Sequence, residues 1–206
     1  MDCIFSHTHN NSKICVAHKL VEITSMQELH YIQAHENGFY TKLKLARKRE
    51  FISTRALLFS MLPHEKPNVR YSETGKPYLN NTHISISHSK QYVAIILNKQ
   101  HNVAIDVEEY RPEIIKISSR FLNTREQKTY TSLEDITTIW SAKEVLYKLF
   151  EASPNFAEDY SISGSITDES GEIIGKVFTK KIDKTVKIQY FRTTNLCIAW
   201  ANSYSN

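Results

Sequence analysis

The chain has 206 residues, of which 41% are hydrophobic and 23% are charged, and its formal net charge is +4. A chain of this composition can bury enough apolar surface to offset the entropy of ordering, so a wholly disordered protein is excluded. The longest apolar runs, such as residues 92–97, are too short to span a bilayer, and the N-terminus lacks the basic and apolar regions of a secretory signal.

Three cysteines occur without CxxC spacing: Cys3, Cys15 and Cys197. An odd and scattered count favours reduced thiols in a cytoplasmic protein over a disulfide framework or a zinc site. We therefore expect a cytoplasmic protein with three free thiols.

Basic residues crowd into one stretch, which contains Lys42, Lys44, Arg47, Lys48, Arg49 and Arg55. Such a stretch suits a phosphorylated ligand, an acidic protein or nucleic acid. A solvated helix face explains the same charges equally well.

Residues 24–62 are predicted to be mostly helical, because Phe51, Leu58 and Leu62 recur at helical spacing, and Pro63 ends the helix. On this reading Arg47 and Arg55 occupy another face. Residues 71–78 form a loop. Three strands are predicted next, at residues 83–87, 92–97 and 103–108, with short polar turns between them.

The second half continues with a helix over residues 124–151, whose core candidates are Ile136, Ile139, Leu146 and Leu149. Strands of an antiparallel sheet follow at residues 160–166, 173–179, 186–191 and 196–201. Each half is thus helix first and sheet second. The predicted fold is α+β, with two similar subdomains, residues 1–104 and 105–206, each a helix packed on a small antiparallel sheet.

Asp106 and Glu108 lie two residues apart in a predicted strand, so their side chains share one face, with Cα atoms about 6.5 Å apart. Two carboxylates on one face repel each other unless a cation lies between them. Divalent cations such as Mg²⁺ prefer oxygen ligands and often take one or two carboxylates plus substrate phosphates. Solvated acids at an exposed strand end are the commoner reading of this pair alone.

Glu144 and Lys148 are neighbours on the predicted helix that spans the sequence WSAKEVLYK. They are either a surface ion pair that contributes about 0.2–0.5 kcal/mol, or a third acidic ligand with a phosphate-binding lysine beside it.

Two further segments carry polar groups that suit phosphate oxygens. Ser87 and His88 lie at a strand end, where a plain polar turn is the alternative. A Ser–His nucleophilic pair is disfavoured, because adjacent strand residues point to opposite faces. Gly75 allows close backbone approach and Lys76 offers a charge, although an ordinary loop is the simpler reading of that segment.

Taken in order, the segments GKP (75–77), ISISHS (84–89), VAIDVE (103–108) and WSAKEVLYK (140–148) resemble those of the 4′-phosphopantetheinyl transferases. The resemblance covers roughly residues 47–150 and is to the larger, single-chain type with two pseudo-symmetric halves. It implies the phosphopantetheinyl transferase fold, with the active site between the halves. It also implies transfer of 4′-phosphopantetheine from coenzyme A to a serine of an acyl or peptidyl carrier protein.

The resemblance also implies residue roles. Asp106, Glu108 and Glu144 would hold Mg²⁺, with Mn²⁺ as the other candidate. Glu144 and Lys148 would be catalytic, and coenzyme A would contact Arg55, Lys76, Ser87, His88, Lys143 and Lys148. A carboxylate committed to a metal is a poor base, so Glu144 need not be both ligand and base.

One position departs from the family pattern, because Ala104 stands where the family usually has glycine. Its methyl group would crowd either the pantetheine or a neighbouring strand. The implied partners are coenzyme A and a carrier protein, without nucleic acid or membrane, and a monomer is expected because two halves can form one cleft. Two other classes stay open, a nucleic-acid-binding protein and a non-catalytic relative.

Overall fold

The computed structural model describes residues 1–65, 67–152 and 155–203. The chain divides into two compact units, residues 1–100 and 101–206, and each is α+β with antiparallel strands, as the sequence predicts. The division falls four residues before the predicted boundary, because the strand that begins at Val103 pairs along its whole length with a strand of the second unit. Within the described ranges, no helix is long and apolar enough to cross a membrane.

The first unit contains a four-stranded sheet, a two-stranded hairpin and three helices. The sheet has the antiparallel order β1-β2-β6-β5, and β3 pairs with β4. The elements are β1 Cys3–His9, β2 Ser12–His18, α1 Ser25–Tyr31, α2 Asn37–Tyr40, α3 Leu45–Met61, β3 Arg70–Tyr71, β4 Pro77–Tyr78, β5 His83–His88 and β6 Tyr92–Asn98.

The N-terminal hairpin β1–β2 corrects the predicted order of helix first and sheet second. Its two-residue turn is made by Asn10 and Asn11, at φ 46° and 62°. Positive φ at both positions is the geometry that joins two twisted antiparallel strands, and asparagine tolerates it better than most residues.

The prediction of three free thiols is also wrong. Cys3 and Cys15 lie on the paired strands β1 and β2 and form a disulfide, while Cys197 is free and buried. Their spacing of twelve residues carries no disulfide signature. What brings them together is the hairpin, which was not predicted.

The predicted helix over residues 24–62 is three helices. Helix α3 is the one that packs on the sheet, where Leu57 and Leu58 join Cys15, Val93 and Ile95 in a buried core. The predicted loop at residues 71–78 carries the short strands β3 and β4 at its ends, with Gly75 at φ 84° in the turn between them.

The second unit is a five-stranded antiparallel sheet of order β7-β11-β10-β9-β8 with helices packed on it. Its largest core joins α6 to the sheet and includes Ile139, Leu146 and Ile188. The elements are β7 Val103–Glu109, α4 Glu113–Ile117, a 3-10 turn Ser118–Arg120, α5 Thr124–Thr129, α6 Leu133–Phe150, β8 Tyr160–Ser163, β9 Ser170–Phe178, β10 Asp183–Arg192 and β11 Leu196–Asn202.

Side-chain caps split the predicted helix over residues 124–151 into α5 and α6. Asn123 and Glu126 form a reciprocal capping box at the start of α5, and Ser132 accepts a hydrogen bond from the Asp135 N–H at the start of α6. Each cap satisfies helix N–H groups that have no partner in the first turn. Helix α6 ends at Phe150 and is capped by Glu151, which takes the left-handed conformation.

Replacement of Gly175 tests how closely α6 approaches β9. A Cβ atom at Gly175 would lie 2.5 Å from Ile188 Cδ1 and 3.0 Å from Leu146 Cδ1. Gly175→Ala should therefore lower the free energy of unfolding by about 1–3 kcal/mol through overpacking. Gly38→Ala is the matched control, because its Cβ meets nothing within 4 Å. The control should be neutral or stabilising in urea unfolding, and equal behaviour of both variants would contradict this packing.

Candidate active site

Strand β7 and helix α6 bring three carboxylates together: Asp106, Glu108 and Glu144, here called the acidic cluster. Asp106 and Glu108 both contact side chains of α6, as expected for alternate residues on one face of a strand. All three acids belong to the second unit.

Lys148 ties α6 to the buried carboxylate of the acidic cluster. Its Nζ donates to Asp106 Oδ1 at 2.8 Å and to the carbonyl of Ile105 at 2.9 Å. Asp106 is 4% exposed, so its charge needs this compensation.

Glu108 receives two hydrogen bonds from outside the acidic cluster. Trp140 Nε1 donates to its Oε1 at 3.1 Å, and Arg111 donates to its Oε2 at 3.2 Å. Burial and the neighbouring Asp106 nevertheless raise the pKa of Glu108 above its usual range.

Glu144 is the most perturbed acid. Burial is the largest cause and the negative charge of Asp106 the second, and together they raise the pKa of Glu144 to about 7. Glu108 acts in the same direction, while Lys148 opposes the shift. The other two carboxylates of the acidic cluster therefore add to the effect of burial on Glu144, and Lys148 acts against both.

The donor set of the acidic cluster fits a hard divalent cation, because all its candidate ligand atoms are carboxylate oxygens. Among the described residues, no three acidic, histidine or cysteine side chains are close enough to hold a metal as they stand. One oxygen of Asp106 is instead bound by Lys148, at 2.8 Å. Closing around a cation would require rotation of these side chains.

Lys143 does not join the acidic cluster, and its predicted contact with coenzyme A stays a prediction that its surroundings do not favour. Its side chain is fully buried, and its Nζ bonds to Glu126 Oε2 and to the carbonyls of Phe121, Phe156 and Tyr160, at 2.7–3.0 Å. Burial lowers the pKa of Lys143, and Glu126 partly offsets this. Four acceptors already surround its three protons, so a phosphate would have to displace them.

Arg55 is likewise enclosed, in the first unit. It is 1% exposed, and its Nε and Nη2 donate to Glu36 Oε1 while its guanidinium lies over the Phe51 ring. This pair links α3 to the start of α2. The predicted nucleotide contact of Arg55 stays a prediction that this burial does not favour.

Ser87 and His88 do not form one contact surface, because they point to opposite faces of β5. His88 faces α3, where its Nε2 lies 2.7 Å from Thr54 Oγ1. Glu50, one turn before Thr54, pairs with Lys19 and Arg47, and its pKa is lowered by those two residues despite its burial. Lys76 lies elsewhere in the first unit, after the turn at Gly75, where its N–H donates to Ser72 Oγ.

Ala104 is buried within the core of the second unit and pairs with Ala201 of β11. Two alanines of β11, Ala199 and Ala201, belong to the same core. Within this unit, Ala104 fits without displacing the neighbouring strand.

Removal of Lys148 tests the charge balance of the acidic cluster. Lys148→Met should lower the free energy of unfolding at pH 8 by about 1–3 kcal/mol, because Asp106 is left buried without its cation. Lys176→Met removes an ion pair with Asp183 whose side chains are 44% and 71% exposed. That control should change stability by about 0.5 kcal/mol or less. Similar losses in urea unfolding at low salt would contradict a special role for Lys148.

Sequence analysis missed Trp140, which bonds to Glu108, and Glu126, which bonds to Lys143. Trp140 was visible only as part of the segment at 140–148, with no signal that its indole N–H bonds a carboxylate. Glu126 had a recognisable signal, the Asn-x-x-Glu spacing of a capping box.

A family model described as the 4′-phosphopantetheinyl transferase superfamily matches residues 102–201, just under half of the chain. The match covers the three acids of the acidic cluster and Lys148, but it does not reach Arg55, Lys76, Ser87 or His88. No curated protein matches the chain. Over residues 102–201, the chain is therefore similar to the 4′-phosphopantetheinyl transferase superfamily.

Proposed function

We propose that the protein transfers 4′-phosphopantetheine from coenzyme A to a serine hydroxyl of an acyl or peptidyl carrier protein. The observation that carries this proposal is the acidic cluster, in which three carboxylates of the matched region interact, since Asp106 raises the pKa of both Glu108 and Glu144. Phosphoryl transfer depends on positioning and charge neutralisation, and a cation held by such acids would serve both needs.

In the proposed step, the serine oxygen forms a bond to the β-phosphorus of coenzyme A. The bond from that phosphorus to the bridging oxygen breaks, and adenosine 3′,5′-bisphosphate leaves with the bridging oxygen. The serine proton passes to a base or to water, so atoms and charge balance.

Asp106, Glu108 and Glu144 are the proposed ligands of Mg²⁺, or of Mn²⁺. When bound, the metal would neutralise charge on the pyrophosphate oxygens. Lys148 already lies beside Asp106 and would place a second positive charge at the same centre.

Glu144 is the proposed acceptor of the serine proton, directly or through water. A carboxylate whose pKa is about 7 can gain or lose a proton near neutral pH. Cation binding and proton binding compete for the same oxygens, so a Glu144 that serves as ligand would act on the serine through water.

Residues of the first unit are the proposed contacts of the nucleotide, namely Lys76, Ser87 and His88. Thr54 lies beside His88, and Glu50, one turn earlier on α3, forms ion pairs with Lys19 and Arg47. This region therefore contains both hydroxyl and cationic groups. We leave Arg55 and Lys143 out of the proposed contacts because both are enclosed in ion pairs.

Product analysis tests the proposal. Incubation with coenzyme A, Mg²⁺ and an apo carrier protein should release adenosine 3′,5′-bisphosphate, detectable by chromatography. Omission of the carrier should stop the release, because the acceptor serine is then absent. Release without a carrier would indicate hydrolysis of coenzyme A, and no release with any acyl or peptidyl carrier would contradict the proposal.

A further inference from the structure

Lys143 bonds to the main chain of the two residues whose rings enclose Trp140. Its Nζ donates hydrogen bonds to the carbonyl oxygens of Phe121 and Phe156, at 2.7 and 2.8 Å. The rings of the same two residues lie against the indole of Trp140, with centroids at 5.0 and 5.3 Å. One ammonium group therefore fixes both sides of an aromatic clamp, defined here as Phe121, Trp140 and Phe156.

One hydrogen bond joins the aromatic clamp to the acidic cluster, since Trp140 Nε1 donates to Glu108 Oε1 at 3.1 Å. Lys143 itself has no hydrogen bond or ion pair with the three carboxylates of the acidic cluster among its described contacts. Its effect on them would pass through two backbone carbonyls, two rings and one indole N–H.

Glu126 holds the ammonium in place. Its Oε2 accepts from Lys143 and from the Asn123 N–H, and its Oε1 accepts from the Ile162 N–H. The side chains of Lys143 and Glu126 are 0% and 1% exposed. A buried pair of this kind often gives no more stability than apolar residues of similar volume, so stability alone is a weak reason for it.

We propose that Lys143, with Glu126 as its counter-ion, is a positioning residue that aims Glu108 toward the cation site through the aromatic clamp. The role of Glu108 rests on the proposed function, whereas the clamp rests on hydrogen bonds and ring contacts within the second unit. Residues that orient a metal ligand in this way commonly change metal affinity by about 10–100-fold when they are replaced.

The test uses the full chain with Lys143→Met and Glu126→Gln together, so that neither charge is left unpaired. Two quantities are measured: the dissociation constant for Mn²⁺ alone, and the emission and acrylamide quenching of Trp140 in a Trp200→Phe background. We expect weaker Mn²⁺ binding by about 10–100-fold, together with red-shifted emission and stronger quenching. Circular dichroism and cooperative unfolding establish that the variant is folded.

The matched control replaces another ion pair of the same helix, Arg192→Met with Asp135→Asn, whose atoms lie 2.9 Å apart. It should leave Mn²⁺ affinity and Trp140 emission unchanged. If the Lys143 and Glu126 variant does not fold, Phe156→Leu tests the proposal in its place, because it removes one ring of the aromatic clamp and keeps the ion pair. It should give the same two changes.

A folded variant with unchanged Mn²⁺ affinity overturns the proposal, whether or not Trp140 emission shifts. If the unaltered protein does not bind Mn²⁺, the metal assignment in the proposed function fails. The emission of Trp140 then tests the aromatic clamp separately, because it depends on no metal. An unchanged spectrum shows that Lys143 does not hold the clamp in place, and a shifted spectrum shows that it does.

Discussion

Replacement of Glu144 by glutamine should abolish phosphopantetheine transfer and make the metal-free protein more stable at alkaline pH. The pKa of Glu144 in the folded protein is about 7, against an ordinary value of 4.5. Because the folded-state pKa is raised, the stability that this group contributes is fully present below pH 4.5 and is lost as the pH rises through 7.

The size of the effect follows from the shift in pKa. Each pKa unit corresponds to about 1.36 kcal/mol, and partial exposure of Glu144 reduces the total to about 1–3 kcal/mol. Below pH 4.5, protonated Glu144 and glutamine should be nearly equivalent. The advantage of Glu144→Gln should therefore appear between pH 4.5 and 7 and stay constant above it.

Urea unfolding in EDTA at pH 4.5 and pH 8 measures this difference. Mg²⁺ added at pH 8 should stabilise the unaltered protein more than the variant, because a ligand that binds only the folded state raises its stability. Stability curves that stay parallel across this pH range would contradict the raised pKa of Glu144.

Asp106→Asn should reduce transfer by about two to three orders of magnitude, the scale on which removal of one stabiliser of transition-state charge acts. Asparagine keeps the size of the side chain and an oxygen for Lys148, so the fold should persist. The negative charge of Asp106 also raises the pKa of Glu144, so the variant should lower that pKa toward its ordinary range.

Asp183→Asn is the matched control for this experiment, because Asp183 is exposed and paired only at the surface with Lys176. It should leave transfer unchanged. The rate of carrier labelling and the pH dependence of stability are measured for both variants. Full transfer activity in a folded Asp106→Asn protein would contradict the metal assignment.

Strands β9 and β10 could be predicted because they bury alternate residues, as Ile173 and Val177 show in β9. Strand β1 could not be found in this way, since its residues are mostly exposed and polar. Its clearest signal was the turn, where Asn10 and Asn11 between two strand-like runs indicate a hairpin. The disulfide of Cys3 and Cys15 became visible only with that hairpin.

Strand alternation placed Asp106 and Glu108 on one face, but only the resemblance joined Glu144 to them, because the packing of α6 on β7 is not a local property. The predicted role of Lys143 came from the resemblance, whereas helical spacing indicated that this residue is buried. Lys143 lies four residues after Ile139 and three before Leu146, on the buried stripe of α6. Its position alone indicated a buried lysine, but its partner Glu126 depends on tertiary packing.

The same applies to Arg55. Arg55 lies four residues after Phe51 and three before Leu58, so it shares their face of α3 instead of lying on another. A basic residue on an apolar stripe requires a buried counter-ion. Glu36 supplies it from nineteen residues earlier in the chain, a distance that no local pattern spans.

The intact mass of a carrier protein tests the central claim most directly. An apo acyl or peptidyl carrier protein is incubated with this protein, coenzyme A and Mg²⁺, and a carrier with alanine at the acceptor serine serves as the control. We predict a mass increase of one phosphopantetheine group on the serine carrier, none on the alanine carrier, and none in EDTA. An unmodified serine carrier, or an equal increase in EDTA, would contradict metal-dependent transfer by the acidic cluster.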